Sequence, residues 1–164
     1  MTNIRNSILA GIGFGVLFGI FLAIRFNLNY ALIAGPLSGL MFGTILYFFV
    51  NSNMIKRQTS IEIDEGKIIR SGGANHFLNK EAVGGKLYLL EDKIIFKSHN
   101  FNTQNHKEEY LLNNITKIEF CNTLGIIPNG MKILMNENQS EQFVLNNRKF
   151  WKKDIEDIIT RHNN

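Results

Sequence analysis

Charge is nearly absent from the first fifty residues, in which Arg5 and Arg25 are the only charged side chains. Segments 8–24 and 30–50, of 17 and 21 residues, contain none. This absence argues against helices of a small water-soluble core, and both lengths suit a bilayer crossing. In hydrocarbon every backbone polar group needs an internal partner, so each segment is expected to be a helix. Because only residues 25–29 connect them, the sequence predicts an antiparallel transmembrane hairpin.

Basic residues flank this hairpin unevenly. Arg5 precedes it and Lys56 and Arg57 follow it, whereas the connection holds only Arg25. Since basic residues favour the cytoplasmic side, this predicts a multi-pass protein of the cell membrane with both termini in the cytoplasm. The alternative for the first segment is a cleaved signal peptide, but no clear cleavage site separates it from the second segment.

Glycine recurs at every fourth position in both apolar segments. Such stripes let helix backbones approach closely and pack in lipid. Two arrangements remain open: the stripes face each other within the chain, or one faces outward and forms a homo-oligomer. No Asp, Glu, His, Lys or Arg lies within either segment, which argues against an ion or proton path. The predicted helix-packing residues are Gly11, Gly15 and Gly19 in the first segment and Gly35, Gly39 and Gly43 in the second.

The sequence also contains only one cysteine, and its polar part has little net charge. Cys121 is the single cysteine, so no intramolecular disulfide can form, which fits a reducing compartment. Residues 51–164 carry 16 Lys and Arg against 14 Asp and Glu, so the pI near 9.2 does not reflect a concentrated basic surface. Nucleic-acid binding usually requires such a surface and is not expected here.

Alternating apolar and polar residues replace the long apolar runs in the rest of the chain. Residues 83–99 predict a β-hairpin, because Leu87 and Leu89 share one face and the alternation resumes after a polar break. Gly84-Gly85 is expected to form a bulge or a tight entry bend. Residues 51–66 are interpreted as a linker, with a short strand around 61–63 as the alternative. Further strands are expected at 67–71, 109–112, 115–120, 131–135 and 142–145, and loops or turns at 72–81, 98–106 and 128–130.

The last segment changes to a helical period. Trp151, Ile155, Ile158 and Ile159 form one apolar stripe, and Asn147 suits the N-cap position. Several short antiparallel strands followed by one amphipathic helix predict an α+β fold that is mainly β. The expected form is a small curved sheet or open barrel, capped by the C-terminal helix, over residues 67–162.

Several segments resemble the signature of GRAM domains, which have the pleckstrin-homology (PH) type of fold. The resemblance covers about residues 67–159, and the predicted membrane hairpin lies outside it. Residues 73–77 also resemble the segment before the hairpin in bacterial members of the family. It implies a curved antiparallel sheet with a C-terminal helix, and a binding module rather than an enzyme. Eukaryotic relatives of this type bind membrane lipids or other proteins. The matching segments are 82–89, 94–99, 115–119, 128–133 and 143–144, with Trp151.

Residues with catalytic or metal-binding chemistry do not fall into a recognised pattern. His76, His99, His106 and Cys121 match no zinc spacing, and the histidines are interpreted as loop residues with local hydrogen bonds. His99 and His106 bracket one loop and are expected to come closest to each other. No carboxylate pair and no phosphate-binding glycine loop stands out. The sequence therefore predicts no metal, no cofactor and no enzymatic activity.

Two groups of basic residues are the candidates for binding a lipid or a partner. The N-terminal turns of the last helix carry one group. Cations there oppose the helix dipole, which suggests that they are present for a reason other than stability. The alternative for both groups is an ordinary solvated surface. The apolar loop 125–128 is expected to be buried beneath the sheet, with lipid or partner contact as the alternative. The candidates are Arg148, Lys149, Lys152 and Lys153 on the helix, and Lys80 and Lys86 around the hairpin.

These features together predict a membrane-tethered, non-catalytic binding module. In the first hypothesis the module recognises anionic lipid headgroups or a protein segment close to the membrane. In the alternative, the chain is an interaction or regulatory subunit of a larger membrane complex and recognises no lipid itself.

Overall fold

The computed structural model describes residues 2–162 apart from 79, 80 and 124. The chain divides into two units, residues 1–57 and 58–164, called here the helical hairpin and the sheet module. The predicted Lys80 candidate lies outside the described residues.

Two long helices make up most of the helical hairpin. They are α1 (Thr2–Arg25) and α2 (Leu28–Asn51), and a short helix, α3 (Asn53–Thr59), follows them. The two predicted helices are confirmed, although the connection is shorter than expected and leaves only two residues between them. Asn27 ends this connection and caps α2, because its Oδ1 accepts the N–H of Tyr30 at 2.8 Å.

The two glycine stripes face each other within the chain. A Cβ placed on Gly39 would lie 2.6 Å from the Gly11 carbonyl oxygen and 2.9 Å from the Gly15 Cα. A Cβ on Gly15 would lie 3.0 Å from the Gly35 oxygen. Side chains are thus excluded from the contact, and the two backbones pack directly.

Large apolar side chains cover the outside of this helix pair. Ile24 and Ile33 are 78% and 73% exposed. The helical stretches Ile4–Arg25 and Leu28–Asn51 are long and apolar enough to cross a membrane. Pro36 lies inside α2, and neighbouring helices commonly compensate such a residue in membrane helices.

The sheet module contains a seven-stranded antiparallel sheet in the order β4-β3-β2-β1-β7-β6-β5. The sheet does not close, so β4 and β5 are its outer strands. The predicted antiparallel sheet with a C-terminal helix is confirmed. The strands are β1 (Arg70–Leu78), β2 (Glu81–Leu89), β3 (Lys93–Ser98), β4 (Lys107–Leu111), β5 (Ile115–Thr123), β6 (Ile127–Met135) and β7 (Ser140–Leu145).

Three local predictions in this unit are wrong. The expected loop at 72–81 is mostly strand, because β1 runs on to Leu78 and pairs with both β2 and β7. Gly84 and Gly85 form no bulge, since the β1–β2 register is continuous through them. Gly85 is instead a point of close approach, where a Cβ would lie 2.8 Å from the Ser98 Cα. The expected turn at 128–130 lies within β6.

Helix α4 (Arg148–His162) covers the inner face of the sheet. Its Trp151, Ile155 and Ile158 are buried among inward side chains of the strands, and Ile159 packs against them, so the predicted apolar stripe is confirmed. Asn147 directly precedes the helix, and its carbonyl accepts the N–H of Phe150 at 2.9 Å. The strand residues of this core include Leu87, Leu89, Ile94, Phe96, Ile118, Met131, Ile133 and Phe143.

The segment 60–69, between α3 and β1, covers part of the outer face of the sheet. Tyr88, Leu90 and Ile95 are buried there, packed against Ile61, Ile63 and Ile68. The segment forms no strand, and its regular structure is a 3-10 turn over Glu65–Lys67. Tyr88 Oη donates to the Thr59 carbonyl at 2.8 Å, which fixes the point where the chain enters the module. Two further 3-10 turns, Leu112–Asn114 and Asn136–Asn138, connect strands.

Candidate functional site

Arg148, in the first turn of α4, joins the helix to two neighbouring strands. Its Nη1 donates to the carbonyl of Cys121 at 2.6 Å and to that of Gly130 at 3.0 Å. Cys121 and Gly130 are paired residues of β5 and β6, so one guanidinium spans the ladder. The guanidinium also lies 4.7 Å from the centre of the Phe120 ring, within cation–π range.

Lys152, one turn further along α4, has a similar role. Its Nζ donates to the Ile118 carbonyl at 2.6 Å and lies 3.2 Å from Glu156 Oε1. It also lies 5.5 Å from the Phe120 ring centre. Two of the four predicted basic residues therefore fasten α4 to β5. This attachment explains why the chain accepts cations at a helix end where the dipole disfavours them.

Lys149 and Lys153 are the other two predicted basic residues of α4. They lie one helical turn apart, and both side chains are exposed. Among the described residues neither has an ion pair, and the acids of α4, Asp154, Glu156 and Asp157, come later in the helix. These two cations are available to an external anion.

The expectation that the apolar segment 125–128 is buried beneath the sheet is wrong. Ile126 is 79% exposed and Ile127 is 43% exposed. The chain reverses here at Gly125, whose φ of +76° favours glycine. The structure thus brings an apolar loop to the end of the module where α4 begins, because the Arg148 bonds join the two.

Lys86 lies apart from the basic residues of α4. Its Nζ is 4.8 Å from the centre of the Tyr88 ring, on the outer face of the sheet. The alternate residues Leu87 and Leu89 point to the inner face, which α4 covers. The two predicted basic groups therefore do not form one pocket among the described residues.

A buried polar cluster was not foreseen. His76, on β1, is almost fully buried, and its Nδ1 lies 2.8 Å from His106 Nε2 while its Nε2 lies 2.7 Å from Glu141 Oε2. Its ring stacks on Phe143 at 4.7 Å between centres. The interpretation of His76 as a loop histidine is wrong, and His106 contacts His76 rather than His99. His99 instead lies beside Asn102, whose amide donates to the His99 carbonyl at 2.7 Å.

Burial shifts the pKa of two residues in this cluster, His106 and Tyr110. Burial, and after it the neighbouring His76, lowers the pKa of His106, while Glu108 and Glu141 act in the opposite sense. Burial also raises the pKa of the Tyr110 phenol. The Tyr110 hydroxyl and His106 Nδ1 are buried without a protein hydrogen-bond partner, so a bound water would suit them. The cluster is a structural network around one stacked imidazole.

Residues for covalent or metal chemistry are not gathered in the part of the chain that the structure describes. No group of three or more His, Cys, Asp or Glu there has the arrangement of a metal site. Burial raises the pKa of the Cys121 thiol, which disfavours the reactive thiolate.

The sheet module has the fold of PH domains. It is similar to the N-terminal PH domain of Vps36, with a TM-score of 0.50 and 13% identity over 63% of this chain and 87% of that one. It is also similar to the C-terminal domain of an unknown protein from Leishmania infantum, with a TM-score of 0.50 and 11% identity over 57% and 84% of the two chains. At such identities the likeness shows the fold alone.

A third structure, the PH domain of Slm1 in complex with inositol-4-phosphate, aligns at a TM-score of 0.43 with 10% identity over 56% of this chain and 96% of that one. No protein-family model matches this chain, and no curated protein matches its sequence. The class defined here is therefore a PH-like module that follows two apolar helices.

Proposed function

We propose that this chain is a cell-membrane protein whose helical hairpin anchors a GRAM-type, non-catalytic module that recognises anionic lipid headgroups. Both termini would lie in the cytoplasm. The outer surface of the hairpin is the observation that supports the anchor. Two consecutive helices of membrane-spanning length pack through glycine and direct their large apolar side chains outward, which is favourable in lipid and costly in water.

The anchor also bears on how strong the recognition must be. A tethered module meets the adjacent lipid surface at a high effective concentration, so weak binding of each headgroup is sufficient. The module carries 14 Lys and Arg against 14 Asp and Glu in residues 58–164, so its total charge gives no attraction to an anionic surface. Recognition must therefore come from a local arrangement of cations, of which Lys149 and Lys153 are exposed examples.

The proposal is tested in two steps. First, the full chain should stay with membranes after an alkaline carbonate wash. Second, the full chain is reconstituted into vesicles with a protease site inserted after Ser52, and the linker is cut. The released module should stay on vesicles that contain phosphatidylserine at low salt, and should leave them at high salt or when phosphatidylcholine is the only lipid.

The opposite results separate the alternatives. Release of the uncut chain by carbonate contradicts the anchor. A released module whose bound fraction does not rise with phosphatidylserine, even at high lipid concentration, contradicts lipid recognition. Co-purification of a stoichiometric membrane protein with the full chain in mild detergent would then favour the interaction subunit.

A further inference from the structure

The end of the module that holds the β5–β6 loop combines exposed apolar side chains with cations. Ile126 in the loop and Ile127 at the start of β6 are exposed, and Arg148, Lys149 and Lys153 lie at the adjoining start of α4. We call these five residues the tip surface. Arg148 joins its two parts, because it bonds Cys121 and Gly130, only one strand pair before the last pair of the hairpin, Thr123 with Ile127.

Acidic residues are missing from both parts of the tip surface. No Asp or Glu occurs from Phe120 to Lys132, nor from Gln142 to Lys153. The tip surface is therefore locally positive although the module as a whole is balanced. An anionic surface is its electrostatic complement.

The loop itself is held in shape. Thr123 Oγ1 lies 2.6 Å from Asn129 Oδ1 and donates to it, and the Ile126 N–H donates to the Thr123 carbonyl at 3.3 Å. The Asn122 amide donates to the Gly125 carbonyl at 3.4 Å. These bonds hold Gly125 and Ile126 in place, which reduces the cost of ordering them on binding. Exposed isoleucines at a hairpin end, beside cations, suit insertion at the boundary between headgroups and acyl chains.

We propose that the tip surface docks on an anionic bilayer, with Ile126 and Ile127 inserted at the interface and Arg148, Lys149 and Lys153 against the headgroup phosphates. This inference rests on the proposed lipid recognition and specifies which part of the module performs it. Lys149 and Lys153 supply most of the charge selectivity, because Arg148 is already bonded to two backbone carbonyls. Lys86 and the β3–β4 loop take no part.

The test uses the full chain, with Cys121 replaced by serine, reconstituted into vesicles. An environment-sensitive fluorophore is placed on Ile126→Cys, and a matched label on Thr103→Cys in the exposed β3–β4 loop. In vesicles containing phosphatidylserine, we expect the label at 126 to shift to the blue and to be quenched by nitroxide lipids. The label at 103 should stay unchanged. High salt, or phosphatidylcholine alone, should abolish the difference.

Charge variants supply the matched comparison. Lys149→Ala with Lys153→Ala should lower the ratio of docked to free label by about 25-fold, since each cation near an anionic surface contributes about fivefold. Lys67→Ala with Lys107→Ala removes the same charge elsewhere on the module and should have little effect.

Each other outcome overturns a defined part of the proposal. If the label at 103 is quenched while the label at 126 is not, lipid recognition holds and the tip surface is wrong. If neither label responds to phosphatidylserine, docking fails, and the cleavage experiment above decides whether lipid recognition fails with it. If the label at 126 is protected by a co-purified acidic protein in the absence of vesicles, the occupant is that protein and not the bilayer.

Discussion

The helical hairpin packs through its backbone, whereas the sheet module packs through its side chains. Among the described residues of the hairpin, Leu22 is the only large apolar side chain that is buried, and the helix contact consists of glycine backbone. In the sheet module the large apolar side chains point inward, and several, such as Phe96 and Phe143, are fully buried. Both units are rich in apolar residues, so composition alone does not distinguish them.

This difference indicates what surrounds each unit. A fold whose apolar side chains face outward gains little from hydrophobic burial within itself, which is consistent with the proposed membrane anchor. A fold whose apolar side chains face inward is stabilised by water. The comparison predicts that opposite kinds of substitution destabilise the two units. The sheet module should lose stability when a large buried side chain is removed, and the helical hairpin should do so when a side chain is added at the glycine contact.

Loss of the Trp151 side chain should have the largest effect. Trp151 is buried under α4, and its ring lies against β1, where a Cβ on Gly72 would be 3.5 Å from its Cζ2. Trp151→Ala should lower the free energy of unfolding of residues 58–164 by about 3–5 kcal/mol, measured by urea titration followed by circular dichroism. The neighbouring Phe150 is 58% exposed, so Phe150→Ala should change it by less than about 0.5 kcal/mol. Equal losses would contradict the assignment of the core.

Gain of a side chain at Gly39 should have the next largest effect. A Cβ there has no room between Gly11 and Gly15, whereas one on Gly13 meets nothing within 4 Å. Gly39→Ala should destabilise the helix pair by about 1–3 kcal/mol, as overpacking does. Spin labels at residues 4 and 48 of the full chain in lipid should show a longer and broader distance, and Gly13→Ala should leave it unchanged. An unchanged distance in Gly39→Ala would contradict the intrachain contact.

Loss of the Arg148 guanidinium should have a smaller effect. Arg148→Met keeps the stem but removes two charge-assisted hydrogen bonds to β5 and β6, which should cost about 2 kcal/mol. Trp151 is the single tryptophan, so its fluorescence reports the unfolding of the module in the full chain. Lys149→Met, on the exposed side of the same turn, should have almost no effect on stability. A loss of stability in Lys149→Met but not in Arg148→Met would contradict the conclusion that Arg148 fastens α4 to the sheet while Lys149 does not.

Local sequence patterns predicted much of this fold. The uncharged runs indicated both long helices, and alternation indicated β2, β3, β5 and β7, because each pattern reflects which side of one element is buried. The predicted strand 67–71 overlaps β1 only at Arg70 and Ser71, and the rest of β1 was missed. Residues 72–78 contain two glycines and a histidine and read as a loop, and they are a strand because they pair with β2 and β7, which are distant in sequence.

The candidate site was less predictable than the fold. Its cations were found, but the roles of Arg148 and Lys152 depend on carbonyls 18 to 34 residues away. The exposure of Ile126 depends on how the β5–β6 hairpin packs within the module, which no short pattern encodes. The His76 cluster joins residues that are 30 and 65 positions apart, so its members carry no common local signal.

Acidification should produce the smallest effect, and it acts on the sheet module alone. Burial lowers the pKa of both His106 and His99 in the folded module, so the unfolded chain binds protons more readily. Stability is therefore greatest above about pH 6.5, the usual histidine value, and falls as the pH drops through that value towards the folded pKa. The apolar segments 8–24 and 30–50 of the hairpin contain no His, Asp or Glu and should not respond.

Urea titrations monitored by Trp151 fluorescence between about pH 7 and pH 5 measure this slope. His106→Gln should flatten it, because the glutamine amide can still donate to His76 Nδ1 but binds no proton. His99→Gln should flatten it independently, and the two changes should add, since no hydrogen bond joins these residues in the structure. If the double variant keeps the full slope, the protons are taken up elsewhere, and the buried cluster is not what makes the module sensitive to acid.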